Sequence, residues 1–399
     1  MINASAHGWV EKFFYKQNFK EISIITNSKI FYENTRETGF LVGYTTHFVT
    51  TKPIETKGWK TEEFSKIALL NTLYGVYQLI EKNNNPTAFI QKCISFYNDL
   101  HPKNSGLLFK ILPQDSASNS LEKIISSRVQ TNDNIISKNF SHILTNALLF
   151  IDVLAFKKYL INNTISDKYL KKTEEIIVNI VSLALKTKET KTKYDDLLQK
   201  LFESSVRYTK FDRLGITALE DIDLSYFEDD YEKFYLIDIA AMALWNDAAI
   251  EKSEKEFLFQ LATKLSVNTA FVEKSIEDMD CFLTKNKEQI PYFNFSNPVK
   301  HFYDQTTQNV HTLISRNKNR LILEITQSKE LMVLLAKSTK RELNADEKKK
   351  VKNQLLDICK SIPSLTIFLV PGGSLLLPIL IKFIPQMLPS AFNENLEQK

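Results

Sequence analysis

Helix-breaking residues are concentrated in one short stretch of this chain. Five of its 11 prolines (Pro363, Pro371, Pro378, Pro385, Pro389) and two of its 9 glycines (Gly372, Gly373) fall between 363 and 389. The other 372 residues are rich in Leu, Ile, Lys and Glu and poor in breakers, a pattern that favours helix almost throughout. Glycine is about 2% of the chain, against an average near 7%. Tight hairpins and phosphate-cradling loops lean on glycine. No G-x-G-x-x-G and no G-x-x-x-x-G-K occurs, which excludes the common nucleotide-binding loops. The expected fold class is all-α: several helical bundles, a small irregular N-terminal part and a Pro-rich hydrophobic helical hairpin or span at the C-terminus.

Charge is mild, with 51 Lys+Arg against 47 Asp+Glu. A net +4 over 399 residues does not mark a DNA-binding protein. Cys93, Cys281 and Cys359 form no C-x-x-C and no disulfide framework, which fits a reducing cytoplasm. The opening residues lack a basic and an apolar signal region, so no signal peptide is expected.

Residues 1–60 read as an irregular segment. Lys29–Tyr32 and Gly39–Val49 are aromatic and β-branched, as in short strands or extended chain. A helical domain is expected over 61–215. An acidic run from Glu220 to Glu232 reads as a loop and helix start, with a boundary near 215–228. A compact helical module follows at 229–284, and a C-terminal region at 300–399. There Asn344 stands three residues before Glu347, a capping-box arrangement worth about 1 kcal/mol. Val351, Leu355, Ile358 and Ile362 then recur as one buried helix face, with Lys348, Lys349, Lys350 and Lys352 opposite.

Ser361–Ile381 contains no charged residue over 21 positions, enough to cross a bilayer core of about 20 residues. Six basic residues precede it (Arg341, Lys348, Lys349, Lys350, Lys352, Lys360) and only Lys382 and Lys399 follow. If the run spans, this asymmetry keeps the N-terminal part on the cytoplasmic side of the inner membrane. Pro371-Gly372-Gly373 divides it, however, into helical halves of about 14 and 17 Å, each half a bilayer. A re-entrant hairpin, a kinked span or a hairpin buried in a soluble cytoplasmic bundle all fit. Ile362, Pro371, Gly372, Gly373, Pro378 and Lys382 are the residues that define this candidate membrane segment, 361–384.

Residues 341–392, with the basic lead-in helix, the Pro-containing apolar run and the exit pattern Phe383-Ile384-Pro385, Met387-Leu388-Pro389-Ser390 and Phe392, resemble the LETM family (leucine zipper, EF-hand, transmembrane). The opening Ser5-Ala6-His7-Gly8-Trp9-Val10-Glu11-Lys12-Phe13-Phe14 is similar to that of bacterial LETM-related, biofilm-associated proteins. The resemblance implies a non-enzymatic, membrane-associated helical protein with membrane lipid and the ribosome as partners. Lys348, Lys349, Lys350 and Lys352 would meet anionic headgroups or ribosomal RNA phosphates. Mitochondrial members are tied to cation/proton exchange, the alternative function. They carry an acid within the apolar core, whereas this chain has none from 358 to 393, which argues against ion transport. No EF-hand loop is present.

The run Ala240–Glu254 is similar to the TerB-like tellurite-resistance module, with Asp247 and Glu254 at its acidic positions and Ala248 where glycine is expected. That resemblance implies a divalent cation and a cation-sensing scaffold; no other cofactor is expected. The structural alternative is that Asp247 caps the next helix and Glu254 lies on its exposed face. No H-E-x-x-H, no G-x-S-x-G and no paired histidines occur, so no catalytic residues are assigned.

Overall fold

The structure is a computed structural model. It describes residues 2–17, 27–100, 116–129, 146–166, 168–188, 195–196, 198–199, 202–203, 218–245, 250–286, 298–362, 365, 380–381 and 383–384, with backbone alone at 298–303, 305, 306, 309, 339 and 340. Among the described residues there are 14 α-helices and no strand. The chain divides into two compact units, one holding the described residues up to Pro298 and one from Val299 onward. Residues on both sides of 215–228 belong to the first unit.

The first unit comprises α1 (Trp9–Gln17), α2 (Ser28–Glu37), α3 (Thr61–Glu81), α4 (Pro86–Leu100), α5 (Ala117–Arg128), α6 (Phe150–Asn162), α7 (Tyr169–Lys186), α8 (Asp230–Leu244), α9 (Lys252–Lys264) and α10 (Thr269–Asn286). Helix α3 packs along α6, α7 along α8, α4 against α5, and α8 against both α9 and α10. Rings fill the space between them: Tyr74, Phe89, Phe96, Phe150 and Phe156 are each no more than 1% exposed.

Charged groups described in this core are paired or hydrogen-bonded, because an isolated buried charge costs several kcal/mol. Asp152 accepts two bonds from Arg128 (both 2.6 Å) and one from Tyr97 (3.0 Å). Asp238 accepts from Tyr32 (2.7 Å), Arg36 (3.2 Å) and Ser275. Helix α1 is fixed from α5: the buried Glu122 carboxylate accepts the Gly8 and Val10 backbone N–H groups at 3.1 and 2.9 Å. Trp9, Val10, Phe13 and Phe14 are buried. The opening motif is therefore a docking device for the first helix.

Two readings of the N-terminal part are corrected. Lys29–Tyr32 forms the start of helix α2, because Asn27 caps it by accepting the Ile30 N–H (2.9 Å) and Tyr32 anchors it to Asp238. Tertiary anchoring overrides the local β preference. Gly39 and Gly43 bracket a 3₁₀ turn over Phe40–Val42, whose side chains are buried. Residues 44–50 continue without regular structure and without a strand partner. At the end of the acidic run Asp229 caps α8, accepting the Tyr231 N–H while Glu232 accepts the Asp229 N–H.

The second unit contains α11 (Pro298–Arg316), α12 (Lys318–Gln327), α13 (Lys329–Lys340) and α14 (Ala345–Ser361). Helix α13 packs on both α12 and α14. Its core gathers Val310, Ile314, Leu321, Ile325, Leu331 and Leu335 with Val351, Leu355, Ile358 and Cys359 of α14. The Asn344 capping box forms: Asn344 Oδ1 accepts the Glu347 N–H (2.8 Å) and Glu347 Oε2 accepts the Asn344 N–H (3.1 Å). The apolar face of α14 is buried as its period requires.

Candidate functional site

Helix α14 is the element on which the sequence-selected lysines converge. Each residue advances about 100° around the axis. Lys348, Lys352 and Lys349 therefore share one arc of about 100°, while Lys350 lies on the other flank of the buried stripe. All four are exposed. Lys350 is engaged: its ammonium donates to Glu330 of α13 at 2.8 Å, and Gln354 donates to the other oxygen of that carboxylate at 2.7 Å. The Lys350 bond lowers the pKa of Glu330, and Glu330 raises that of Lys350. Lys348 lies 3.6 Å from Glu342, a solvent-exposed pair of little strength. No ion pair engages Lys349 or Lys352 among the described residues.

The start of α14 carries a second fixed feature. Arg341 makes a two-pronged bond to Glu347 (2.8 and 2.7 Å), and Lys337 stands 3.7 Å away. The Arg341 bond and the Asn344 backbone bond together hold the Glu347 carboxyl down at about 2. Neither the Glu330 nor the Arg341 ion pair was readable from periodicity. Glu330 reaches α14 from a neighbouring helix, and Arg341 reaches across the cap.

The ends of the apolar segment are packed into protein. Ile362, Leu365, Leu380 and Ile384 are each at most 1% exposed and belong to the same core as α11–α14. Ile381 and Phe383 pack against that core, and the Phe383 ring meets His311 of α11 edge-on at 5.1 Å. Pro371, Gly372, Gly373, Pro378 and Lys382 lie outside the described residues. Among the described residues no helix is long and apolar enough to cross a membrane.

Of the two acidic positions in the middle module, Asp247 lies outside the described residues. Glu254 is not on an exposed face: it is 1% exposed. Its Oε2 accepts the Glu251 N–H at 2.7 Å, closing the cap of α9. The buried ammonium of Lys188 stands 3.3 Å from Asp195 and 3.8 Å from Glu254, a cation already placed between two carboxylates. No group of three or more metal-ligating side chains occurs among the described residues. Burial pushes the Cys93 thiol well up and that of Cys359 to about 12, which keeps both protonated at neutral pH.

Residues 343–399 fit the family model described as "LETM1-like, RBD", the ribosome-binding domain of LETM1-like proteins. It begins at Leu343, immediately before the Asn344 cap, and takes in α14 with its lysines and the whole apolar segment. No curated protein and no solved structure matches. By sequence, the C-terminal 101 residues carry 15 Lys+Arg against 9 Asp+Glu, a net +6, while the preceding 298 residues net −2. Of that +6, the matched residues 343–399 carry +2 (7 Lys+Arg against 5 Asp+Glu) and residues 299–342 carry +4.

Proposed function

We propose that this chain is a non-enzymatic ribosome-binding protein, with the contact made by its C-terminal unit. The observation that carries the reading is the match of 343–399 to the LETM1-like ribosome-binding domain, falling on the helix that exposes the lysines. Lys348, Lys349 and Lys352 meet phosphate oxygens along the exposed arc of α14. Lys350 is engaged with Glu330 of α13, on the other flank of the helix, and is left out of the contact. Phosphate contacts of this kind are electrostatic and weaken as salt rises. The test is co-sedimentation of the full chain with purified ribosomes at low salt. Binding is expected, and replacing Lys348, Lys349 and Lys352 by glutamate should remove it. Co-sedimentation unchanged by that triple reversal refutes the assignment of the lysines; no co-sedimentation at all refutes the function.

A second reading, attachment to a membrane, is favoured by the 21 uncharged residues of 361–381. The burial of Leu365 and Leu380 in one protein core favours instead a hairpin that returns to the bundle. A peripheral location on the cytoplasmic face is compatible with that arrangement. Alkaline carbonate extraction of membranes separates the two: an integral span resists it, and a packed hairpin is released.

A further inference from the structure

Arginine is scarce in this chain: 7 of its 51 basic residues are arginines. Three of them commit their guanidinium to a carboxylate, Arg36 to Asp238, Arg128 to Asp152 and Arg341 to Glu347. Arg207 and Arg213 lie outside the described residues. Arg316 and Arg320 are exposed, and no ion pair engages either among the described residues. A planar guanidinium takes carboxylate or phosphate oxygens by two parallel bonds, which an ammonium does not. In these two residues that fork is open to an external oxyanion.

The two belong to one cluster. Arg316-Asn317-Lys318-Asn319-Arg320 places three cations within five residues, where α11 ends and α12 begins. Lys318 is also exposed and without an ion pair among the described residues. No Asp or Glu occurs from 305 to 323, so the cluster has no compensating acid in its own stretch of sequence. It lies outside the matched residues 343–399, in the stretch 299–342 that carries +4 of the unit's +6.

The backbone that displays these side chains is fixed. The Asn317 N–H donates to the Leu313 and Ile314 carbonyls (3.2 and 3.1 Å), and its side-chain amide donates to the Leu313 carbonyl (2.7 Å). Ile314 before the junction and Leu321 after it are both 0% exposed. A ligand binding here has little backbone left to order. Arg320 also reaches the far end of α14: its Nη2 donates to the Ser361 carbonyl at 3.4 Å, a long bond that uses one of five guanidinium donors. Lys352, the last lysine of the exposed arc, stands nine residues earlier on that helix, about 14 Å along the axis. That exceeds a Debye length of about 8 Å, so the two patches act as separate contacts.

We propose that Arg316, Lys318 and Arg320 form a second RNA-backbone contact of the C-terminal unit, the two guanidiniums each taking a phosphate by two bonds and Lys318 adding a point charge. The inference rests on the ribosome-binding reading and extends the contact beyond the matched domain. The five residues hold no apolar side chain to enter a bilayer, which favours a nucleic-acid phosphate over a lipid headgroup.

The test is co-sedimentation of the full chain with purified ribosomes between about 50 and 200 mM salt. Arg316→Gln, Lys318→Gln and Arg320→Gln together should reduce the log–log salt slope by about 2.7, so that the affinity lost between those limits shrinks about 40-fold. Arg316→Lys with Arg320→Lys should keep the slope and weaken binding several-fold, since the charge stays and the fork goes. Lys12→Gln, Lys16→Gln and Lys57→Gln together, at three exposed positions of the first unit, remove the same net charge and should change neither quantity. If the parent chain does not sediment with ribosomes, the ribosome-binding reading and this inference fall together. If it does and the three glutamine substitutions leave affinity and slope unchanged, this inference alone falls. It is likewise overturned if the first-unit control loses as much, if the double lysine variant binds as well as the parent, or if the glutamine substitutions weaken binding to vesicles of phosphatidylcholine with phosphatidylglycerol but not to ribosomes.

Discussion

If the apolar segment folds back into the C-terminal unit, its buried ends hold that unit together. Leu380 is 0% exposed within the core of α11–α14, as is Ile384. Truncating a buried leucine to alanine removes apolar contact and leaves a cavity, at a cost of about 3–5 kcal/mol. A unit of this size has a total stability of about 5–15 kcal/mol. Leu380→Ala should thus remove a large part of it, and Leu380→Ala with Ile384→Ala should leave the unit unfolded or nearly so. For a domain of about 100 residues, 3 kcal/mol corresponds to a fall in Tm of about 12–24 °C. The assay is hydrogen exchange of the full chain during thermal and urea titration, read on peptides from residues 304–338 of α11–α13 and, separately, from α3 and α6. Leu323→Ala is the control, since Leu323 is 58% exposed on α12 and should change stability by no more than about 0.5 kcal/mol. Protection in α11–α13 should collapse in the Leu380 variant and stay unchanged in α3 and α6. The reasoning is refuted if Leu380→Ala and Ile384→Ala behave like the Leu323 control; the segment ends then do not support the bundle.

Three further outcomes are expected. A Cβ at Gly39 would lie 2.2 Å from the Tyr44 carbonyl oxygen and 2.3 Å from Phe282 Cζ, on a backbone with φ +82°. Gly39→Ala should therefore destabilise the first unit by at least about 3 kcal/mol in urea denaturation, and a loss under 1 kcal/mol contradicts the geometry. The Glu347 carboxyl is depressed to about 2, against about 4.3 when unfolded, so its contribution to the α14 cap is complete above the unfolded value and disappears as pH falls through about 2. A carboxyl carbon titration by NMR should give a midpoint near the lower figure; a midpoint near 4.3 means the Arg341 and Asn344 bonds do not persist in solution. The three phosphate contacts of the α14 lysines should contribute about −2.7 to the log–log salt slope for ribosome binding, roughly a 40-fold loss of affinity between 50 and 200 mM salt. Lys349→Gln or Lys352→Gln should each reduce that slope by about 0.9, whereas Lys350→Gln should not.

The all-helical architecture was legible because helix formation depends on what is absent from the sequence as much as on what is present. Breakers cluster after 362, and helices α1 to α14 all lie before Pro363, although the described residues 380, 381, 383 and 384 are helical as well. The cap at Asn344 and the stripe from Val351 to Ile362 were legible for the same reason: each is local, set by spacings of three and four residues. What failed was non-local. The β-rich appearance of Lys29–Tyr32 yields to an Asn27 cap and a bond from Tyr32 to Asp238, 206 positions away. Glu254 reads as a surface acid until Lys188, 66 positions earlier, brings a buried counter-charge beside it. The engagement of Lys350 depends on Glu330, a residue of another helix.

These non-local contacts also explain why a chain of nearly balanced composition can present a strongly biased surface. In the first unit many charges are spent internally: Arg128 on Asp152, Arg36 on Asp238, Lys157 on Asp229, Lys188 on Asp195. Such pairs hold helices in register and add little to the outward field. In the C-terminal unit the described core holds uncharged side chains, aliphatic residues with Cys359, and the described charges lie outside it. There the net +6 is sorted further. Glu347 and Glu330 neutralise Arg341 and Lys350, while Lys349 and Lys352 have no counter-ion among the described residues. Lys349 and Lys352 are thus one uncompensated part of that surface; Arg316, Lys318, Arg320 and Lys329, also exposed and without an ion pair among the described residues, are another, and such charges act within a Debye length of about 8 Å at physiological salt. The apolar residues at 362–384 contribute by a different route. By burying Ile362, Leu365, Leu380 and Ile384 against the other face of the unit's helices, they fix the helix that displays the lysines. A segment whose composition suggests a bilayer anchor can therefore serve recognition indirectly, as the packing that holds a basic face rigid.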